Sequence, residues 1–143
     1  MQFFLKLEVC SDPQLLSVVR STVKQLAIVM GFSSAECRSI TIGVDEAITN
    51  IIRHAYQNRH DQAILLTCQG GDGVLEFILE DHGRPADLAK LRGRSLSEVR
   101  PGGLGTHIIR KTMDQVEYER RPEGNRLRLV KYLKTRALQE REP

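Results

Sequence analysis

The sequence predicts an α+β domain in which a mixed, mostly antiparallel sheet carries helices on one face. Three observations predict it. The first residues alternate in hydrophobicity, as a half-buried strand does. Two amphipathic helices follow, with apolar residues three and four apart. Paired strand-like runs come later, joined by short glycine-containing turns.

The elements can be justified in order. Phe3, Leu5, Leu7 and Val9 alternate with Phe4, Lys6 and Glu8, which is strand periodicity. Asp12-Pro13 then offers an N-cap and a proline at the first helical position. Leu15, Val19, Val23, Leu26 and Met30 predict a helix over 13–30, closed by Gly31. Ser33-Ser34-Ala35-Glu36 is a capping-box pattern and opens a second helix that reaches about Tyr56. Residues 63–69 and 74–81 read as strands joined by GGDG, with Leu75, Phe77 and Leu79 on one face. Residues 82–103 lack periodicity and hold Gly, Pro, Ser and several Arg; a loop this long inside a compact domain is usually functional. A third helix is expected from near Leu104 to about Met113. Strand 115–121, a PEGN turn and strand 126–133 complete the order β-α-α-β-β-loop-α-β-β.

At 143 residues the chain suits one domain with a real core. The expected division is a domain over 1–136 and a charged tail over 137–143. Hydrophobic content of 41% and charged content of 27% fit a globular protein. A net charge of +3 is too small to argue for nucleic acid. Arginines gather between Arg84 and Arg128, and a solvated charged surface explains them better than a basic patch does. Cys10, Cys37 and Cys68 are odd in number and widely spaced, which suits a reducing compartment. Lys6 and Glu8 interrupt the N-terminal apolar stretch, so it does not read as a signal peptide. No run approaches the roughly 20 apolar residues that span a bilayer. The expectation is a cytoplasmic protein without membrane partners.

The chemistry begins in the second helix. Val44, Ile48, Ile51 and Ala55 form its apolar stripe, while Glu46 and Asn50 lie four apart on the opposite face, which Thr49 and Arg53 share. Ordinary solvent exposure would explain such a face. It would equally suit the wall of a pocket. Asn50 offers a neutral oxygen to Mg²⁺, which typically takes one or two protein ligands and fills its remaining positions with water and phosphate. Glu46, one turn earlier, could take a proton from a hydroxyl or a water near the terminal phosphate. Such a pocket needs a phosphate-binding element. PGGLGTHIIRKTMD places Gly102, Gly103 and Gly105 at the start of a helix, where free N–H groups and the helix dipole suit phosphate. It matches neither the Walker nor the Rossmann pattern. In EDHGRPAD, Asp81 ends a strand before Gly83, where a carboxylate could accept from adenine's exocyclic amine and reject guanine. Alone, each of these has a plain structural explanation: a tight loop before a helix, or a turn Asp before Gly. Their order is more specific: E-x-x-x-N on a helix, D-x-G at a strand end, then G-x-G at a helix start behind a basic loop.

In these residues the chain resembles the Bergerat-fold ATPases, the histidine-kinase-like or GHKL superfamily. Within that superfamily it is most similar to the anti-sigma factor serine kinases of bacterial partner-switching systems. DEAITNIIRHAY resembles their N-box, DHGRPAD their first glycine box, GGLGTHIIRKTMDQVEYER their second, and GNRLRLVKYL their last strand. The resemblance covers roughly residues 2–134 and implies a two-layer α/β sandwich that uses ATP and Mg²⁺. It implies Glu46 as general base toward a serine hydroxyl and Asn50 as Mg²⁺ ligand. Asp81 would bond adenine, and Gly83 would let the base approach. Gly103 and Gly105 would hold phosphates with Thr106 nearby, and 84–101 would be the ATP lid, its arginines meeting phosphate charge. The implied partners are an anti-sigma antagonist as serine substrate, a sigma factor, and a second copy in a homodimer. One departure is Pro85, where many superfamily members have Gly; proline fixes φ and removes a donor, and it also occurs in the anti-sigma subfamily. His54 matches a histidine frequent in that N-box and suits packing or hydrogen bonding; neither it nor His107 has metal-ligand neighbours in the sequence.

Three other readings use the same residues. A nucleotide-binding regulatory module would sequester a partner without phosphotransfer. A histidine-kinase catalytic domain would need its phospho-acceptor His on another chain, since none stands on a helix pair ahead of these motifs. A non-nucleotide α/β domain would make all three motifs coincidence.

Overall fold

The computed structural model describes residues 2–86 and 104–134; of residues 104–106 it describes the backbone alone. Strand β1 spans Phe3–Cys10. A 3₁₀ turn, Pro13–Leu15, leads into helix α1, Leu16–Met30. Helix α2 spans Ser34–Asn50 and continues as one π-helical turn, Ile51–Ala55. Strands β2 (Ala63–Gly71) and β3 (Val74–Asp81) follow. After residues 87–103 come helix α3 (Leu104–Thr112) and strands β4 (Gln115–Arg121) and β5 (Gly124–Tyr132).

The five strands form one sheet in the order β1-β2-β3-β5-β4. The expected mixed sheet is antiparallel throughout these described strands. Its inner face buries Ile64, Leu66, Leu75, Phe77, Leu79 and Leu129. Against this face lie Val19, Val23 and Ala27 of α1, Ile40, Val44 and Ile48 of α2, and Ile109 of α3. Helix α2 is the middle helix, in contact with both α1 and α3. The α+β class and the two layers are as the sequence predicts.

Local signals act where expected. Asp12 caps the 3₁₀ turn, its carboxylate accepting from the Gln14 amide at 2.9 Å. Ser33 and Glu36 form both halves of the capping box. Gly31 takes φ 96° and closes α1. Asp72 and Gly73, at φ 53° and 75°, make the tight β2–β3 hairpin. One boundary differs. The β4–β5 turn is Pro122-Glu123 alone, and Gly124 and Asn125, expected in the turn, already pair as strand residues.

The outer face of the sheet accounts for several arginines between positions 84 and 128. Arg128 bonds Glu76 at 2.6 Å and Glu117 at 3.3 Å, and Arg121 bonds Glu80 at 2.6 Å. These are cross-strand ion pairs on a half-exposed surface, worth little individually to stability, and they neutralise the positive charge there. Among the described residues, no helix is long and apolar enough to cross a membrane. Residues 87–101 of the expected lid, and the tail 137–143, lie outside the described residues.

Gly124 carries the sharpest packing constraint. At φ 150° its α-carbon lies so close to β3 that a side chain would overlap the carbonyl oxygen of Asp81. Gly124→Ala should therefore cost roughly 2–4 kcal/mol in urea unfolding. Gly31→Ala, where nothing crowds the added carbon, should cost only about 1 kcal/mol. Equal losses at the two sites would show that the close approach at Gly124 is not tight.

Candidate functional site

The apolar stripe of α2 faces the sheet as predicted, with Val44, Ile48 and Ile51 buried. Glu46 and Asn50 are consequently on the far face, both half-buried. Among the described residues, no hydrogen bond or ion pair ties down either side chain. Their neighbour Asp45 is differently placed. It bonds Arg20 of α1 at 2.9 Å and belongs to the helix–helix contact. Of two adjacent carboxylates, one is used in the fold and the other is left facing out.

Asn50 is the last α-helical residue. The widened turn after it changes which carbonyls are satisfied. The Tyr56 amide bonds Ile51 O at 2.9 Å, the Asn58 amide bonds Ile52 O at 2.7 Å, and the Arg59 amide bonds Tyr56 O at 2.9 Å. The Ala55 carbonyl, which Arg59 would have filled in a continuous α-helix, instead accepts the Arg84 amide at 2.9 Å. Gly83 lies directly on this carbonyl, and a Cβ there would overlap it. The end of the N-box helix and the D-x-G turn are thus in direct contact.

Asp81, 4% exposed, ends β3 on the inner face. Its Oδ1 accepts the Gly83 amide at 2.8 Å and the Asn125 side-chain amide at 2.8 Å. Burial pushes the Asp81 carboxyl above its ordinary value, and these two bonds, with Arg120 and His82 nearby, pull it partly back. Oδ2 takes no bond among the described residues, so it can accept from a ligand. The carboxylate is thus well formed to meet an exocyclic amine.

Four residues of this site escaped the sequence reading: Tyr56, Tyr118, Arg120 and Asn125. The Tyr56 hydroxyl donates to Ala63 O at 2.5 Å and accepts the His82 amide at 2.8 Å. Arg120 Nη1 donates to Gly83 O at 2.9 Å. The Ala86 amide donates to the Tyr118 hydroxyl at 3.0 Å, which in turn donates to Asn125 Oδ1. A signal for Asn125 was present. Leu127 and Leu129 face inward, so extending the period of two backward places Asn125 inward, as a polar residue on a core face.

The phosphate element is seen only in part. Gly105 is the second residue of α3, and Thr106 follows it in the helix with its side chain outside the described residues. Gly103 is outside them altogether. Helix α3 packs on α2 through Thr112 and Met113, which close on Gly43, so its N-terminal end belongs to the same helical layer as Glu46. His54 is exposed on the π turn and His107 half-buried on α3. Among the described residues, no group of three His, Cys, Asp or Glu could enclose a metal. Asn50 offers one neutral oxygen, a donor of the kind that Mg²⁺ bound to a nucleotide can take from a protein.

Comparison with known proteins bears on the family and the fold. A profile described as the histidine kinase-like ATPase domain matches residues 9–131. Serine-protein kinase RsbW of Bacillus subtilis is 25% identical over 138 residues, covering 91% of this chain and 86% of that protein. RsbW of Oceanobacillus iheyensis is 28% identical over 122 residues, covering 80% and 77%. RsbW of Listeria innocua is 28% identical over 146 residues, covering 95% and 91%. Among solved structures, the RsbU and RsbW domains of Rv1364c from Mycobacterium tuberculosis superpose with a TM-score of 0.67 at 14% identity. That match covers 92% of this chain and about a third of the other, 32%. A blue-light activated histidine kinase domain from Erythrobacter litoralis gives 0.56 at 18% identity, covering 84% of this chain and 60% of that one. With a profile matching most of its length and a helix face, strand end and helix start in the expected order, the chain belongs to the histidine kinase-like ATPase domain family.

Proposed function

We propose that the chain is an ATP-dependent serine protein kinase and anti-sigma factor of a partner-switching system. It phosphorylates an anti-sigma antagonist on serine, binds a sigma factor, and acts in the cytoplasm as a homodimer. The observation that carries this reading is the contact between Ala55 and Gly83–Arg84. It joins the helix bearing Glu46 and Asn50 to the turn bearing Asp81. The similarity to proteins named serine-protein kinase supports the choice of serine as acceptor.

The roles follow from position. Asp81 Oδ2 accepts from adenine's amine, and the bare α-carbon of Gly83, expected to make room for the base, instead seats the turn on the Ala55 carbonyl and so holds Asp81 in place. Gly103, Gly105 and the Thr106 region hold phosphates at the start of α3, where amides are free and the dipole is positive. Asn50 supplies the protein oxygen to Mg²⁺, which neutralises phosphate charge when bound. Glu46, without a partner among the described residues and on the same face, takes the serine proton. Phosphoryl transfer asks for positioning and charge stabilisation, so this small set of groups is sufficient.

Thermal stability with Mg-ATP, Mg-ADP and Mg-GTP tests the reading. At about 100 times its dissociation constant an adenine nucleotide should add roughly 2.7 kcal/mol, and Mg-GTP at the same concentration should add far less. Asp81→Asn should abolish the shift. An asparagine can keep Oδ1 bonded to Gly83 and Asn125, but it turns a donor toward the donor of adenine. No shift with any nucleotide would remove the ATP site.

Glu46→Gln separates catalysis from binding. It should bind Mg-ATP like the wild type and lose transfer to a serine substrate by roughly 10²–10⁴-fold, measured as acid-stable phosphate on the acceptor. Normal transfer would refute Glu46 as base. A wild-type protein that binds ATP and transfers nothing would instead be a regulatory nucleotide-binding module.

A further inference from the structure

The Asn125 side chain, 5% exposed, uses all of its hydrogen-bonding capacity. Its amide nitrogen donates to Asp81 Oδ1 at 2.8 Å and to Arg84 O at 2.8 Å. Its oxygen accepts from the Tyr118 hydroxyl and from Arg120 Nη1 at 3.3 Å. An Asn has two donors and two acceptor lone pairs, and all four are occupied. Its orientation is fixed by chemistry. Arg120 can only donate, and the Arg84 carbonyl can only accept, so a flipped amide would meet both with the wrong group.

We propose that Asn125 is a positioning residue that sets the purine specificity of the site: by holding Asp81 through Oδ1, it leaves Oδ2 as a single, correctly turned acceptor for an exocyclic amine. The proposal rests on the ATP reading above and adds to it the residue that makes Asp81 selective. Without this bond the Gly83 amide alone would hold the carboxylate, and a single bond leaves it room to turn. With it, the Gly83 amide and the Asn125 amide hold the same oxygen and fix the plane. Tyr118 and Arg120 keep Asn125 from turning. Asn125, Tyr118 and Arg120 also bond the backbone of 83–86, so the acceptor and the turn beside it are one rigid unit.

The charge state follows the same bond. The groups facing Asp81 are Arg120 from β4, His82 from the turn and Tyr56 beyond the π turn. Burial raises the carboxyl, and the Asn125 amide lowers it. Loss of that amide raises it further. A protonated Oδ2 carries a hydrogen where adenine also brings one, so ATP affinity should fall as pH drops through the Asp81 range. Without Asn125 that fall should begin at a higher pH.

The test is calorimetric titration of the full chain with Mg-ATP and Mg-GTP, repeated down the mildly acidic range, for wild type, Asn125→Leu and Tyr118→Phe. Asn125→Leu keeps the branched heavy-atom shape and removes the bonds. It should weaken Mg-ATP at least about tenfold and narrow the ATP-to-GTP ratio by a similar factor, as expected for a hydrogen bond to a charged group. Its acid fall-off should move to higher pH. Tyr118→Phe removes one supporting bond and should narrow the ratio about 2–5-fold, with the fall-off moved the same way. It carries the test if Asn125→Leu does not fold. Variants that keep the wild-type ratio and pH profile, or that lose both nucleotides in proportion, would overturn the proposal. A wild type that binds neither nucleotide would overturn the ATP reading itself, and that is seen before any variant is made.

Discussion

The carbonyl of Ala55 is where the two layers of this molecule meet at the site. It accepts the Arg84 amide and lies against the bare α-carbon of Gly83. It can do so because the helix widens into a π turn just after Asn50, which diverts the amides of Tyr56, Asn58 and Arg59 to other carbonyls. A continuous α-helix would have satisfied Ala55 internally and left the D-x-G turn without its anchor. The departure from regular helix is thus the feature that docks helix layer onto sheet layer, and it falls at the end of the polar face that Glu46 and Asn50 share. Local irregularities of this kind concentrate at functional sites because they expose backbone groups that regular structure consumes.

A second constraint is the burial of Asp81. A carboxylate this deep is costly unless it is bonded, and here two amides meet one of its oxygens. The supply of those amides explains the close approach at Gly124. Asn125 must reach Asp81 directly across the β3–β5 ladder, and the residue before it must pass the Asp81 carbonyl with no side chain. The β4–β5 hairpin, which looks from outside like a surface ladder of ion pairs, is on its inner end the wall of the site. Strand pairing and recognition chemistry are therefore not separable there. A change that slips β5 by one residue would turn Asn125 to solvent and leave Asp81 half-satisfied.

Much of this was legible in the sequence. The apolar stripe of α2, the capping box at Ser33, the Asp12 cap and the Gly31 closure depend on residues within one or two turns of each other, and periodicity and cap chemistry read such local signals directly. The face bearing Glu46 and Asn50 followed from the same periodicity, and Asp81 from its place at a strand end before Gly83. What stayed hidden depends on pairing between distant segments. The bond from the Arg84 amide to the Ala55 carbonyl joins residues far apart in the chain and has no local signal. The inward Asn125 was concealed by a turn boundary placed two residues too late. Tyr118 and Arg120 look like ordinary alternating residues of a charged strand until the hairpin folds them over the 83–86 backbone. The all-antiparallel sheet likewise follows from long-range pairing.

The same division explains how one architecture persists at low identity. The superposition with the RsbW-containing structure keeps the fold at 14% identity. Few of the site's demands are demands on side chains. Gly83 and Gly124 are needed because backbones pass close together, and the Ala55 carbonyl acts as backbone. The side chains that must be particular are those whose atoms face a ligand or fix one that does. Asp45 and Glu46 make the point within one dipeptide. Asp45 is bonded to Arg20 across the contact of α1 and α2, whereas the Glu46 side chain, on the polar face of α2, takes no bond among the described residues. Within that dipeptide one carboxylate is held by the fold, and the other has no partner among the described residues and is the one proposed above to take the serine proton.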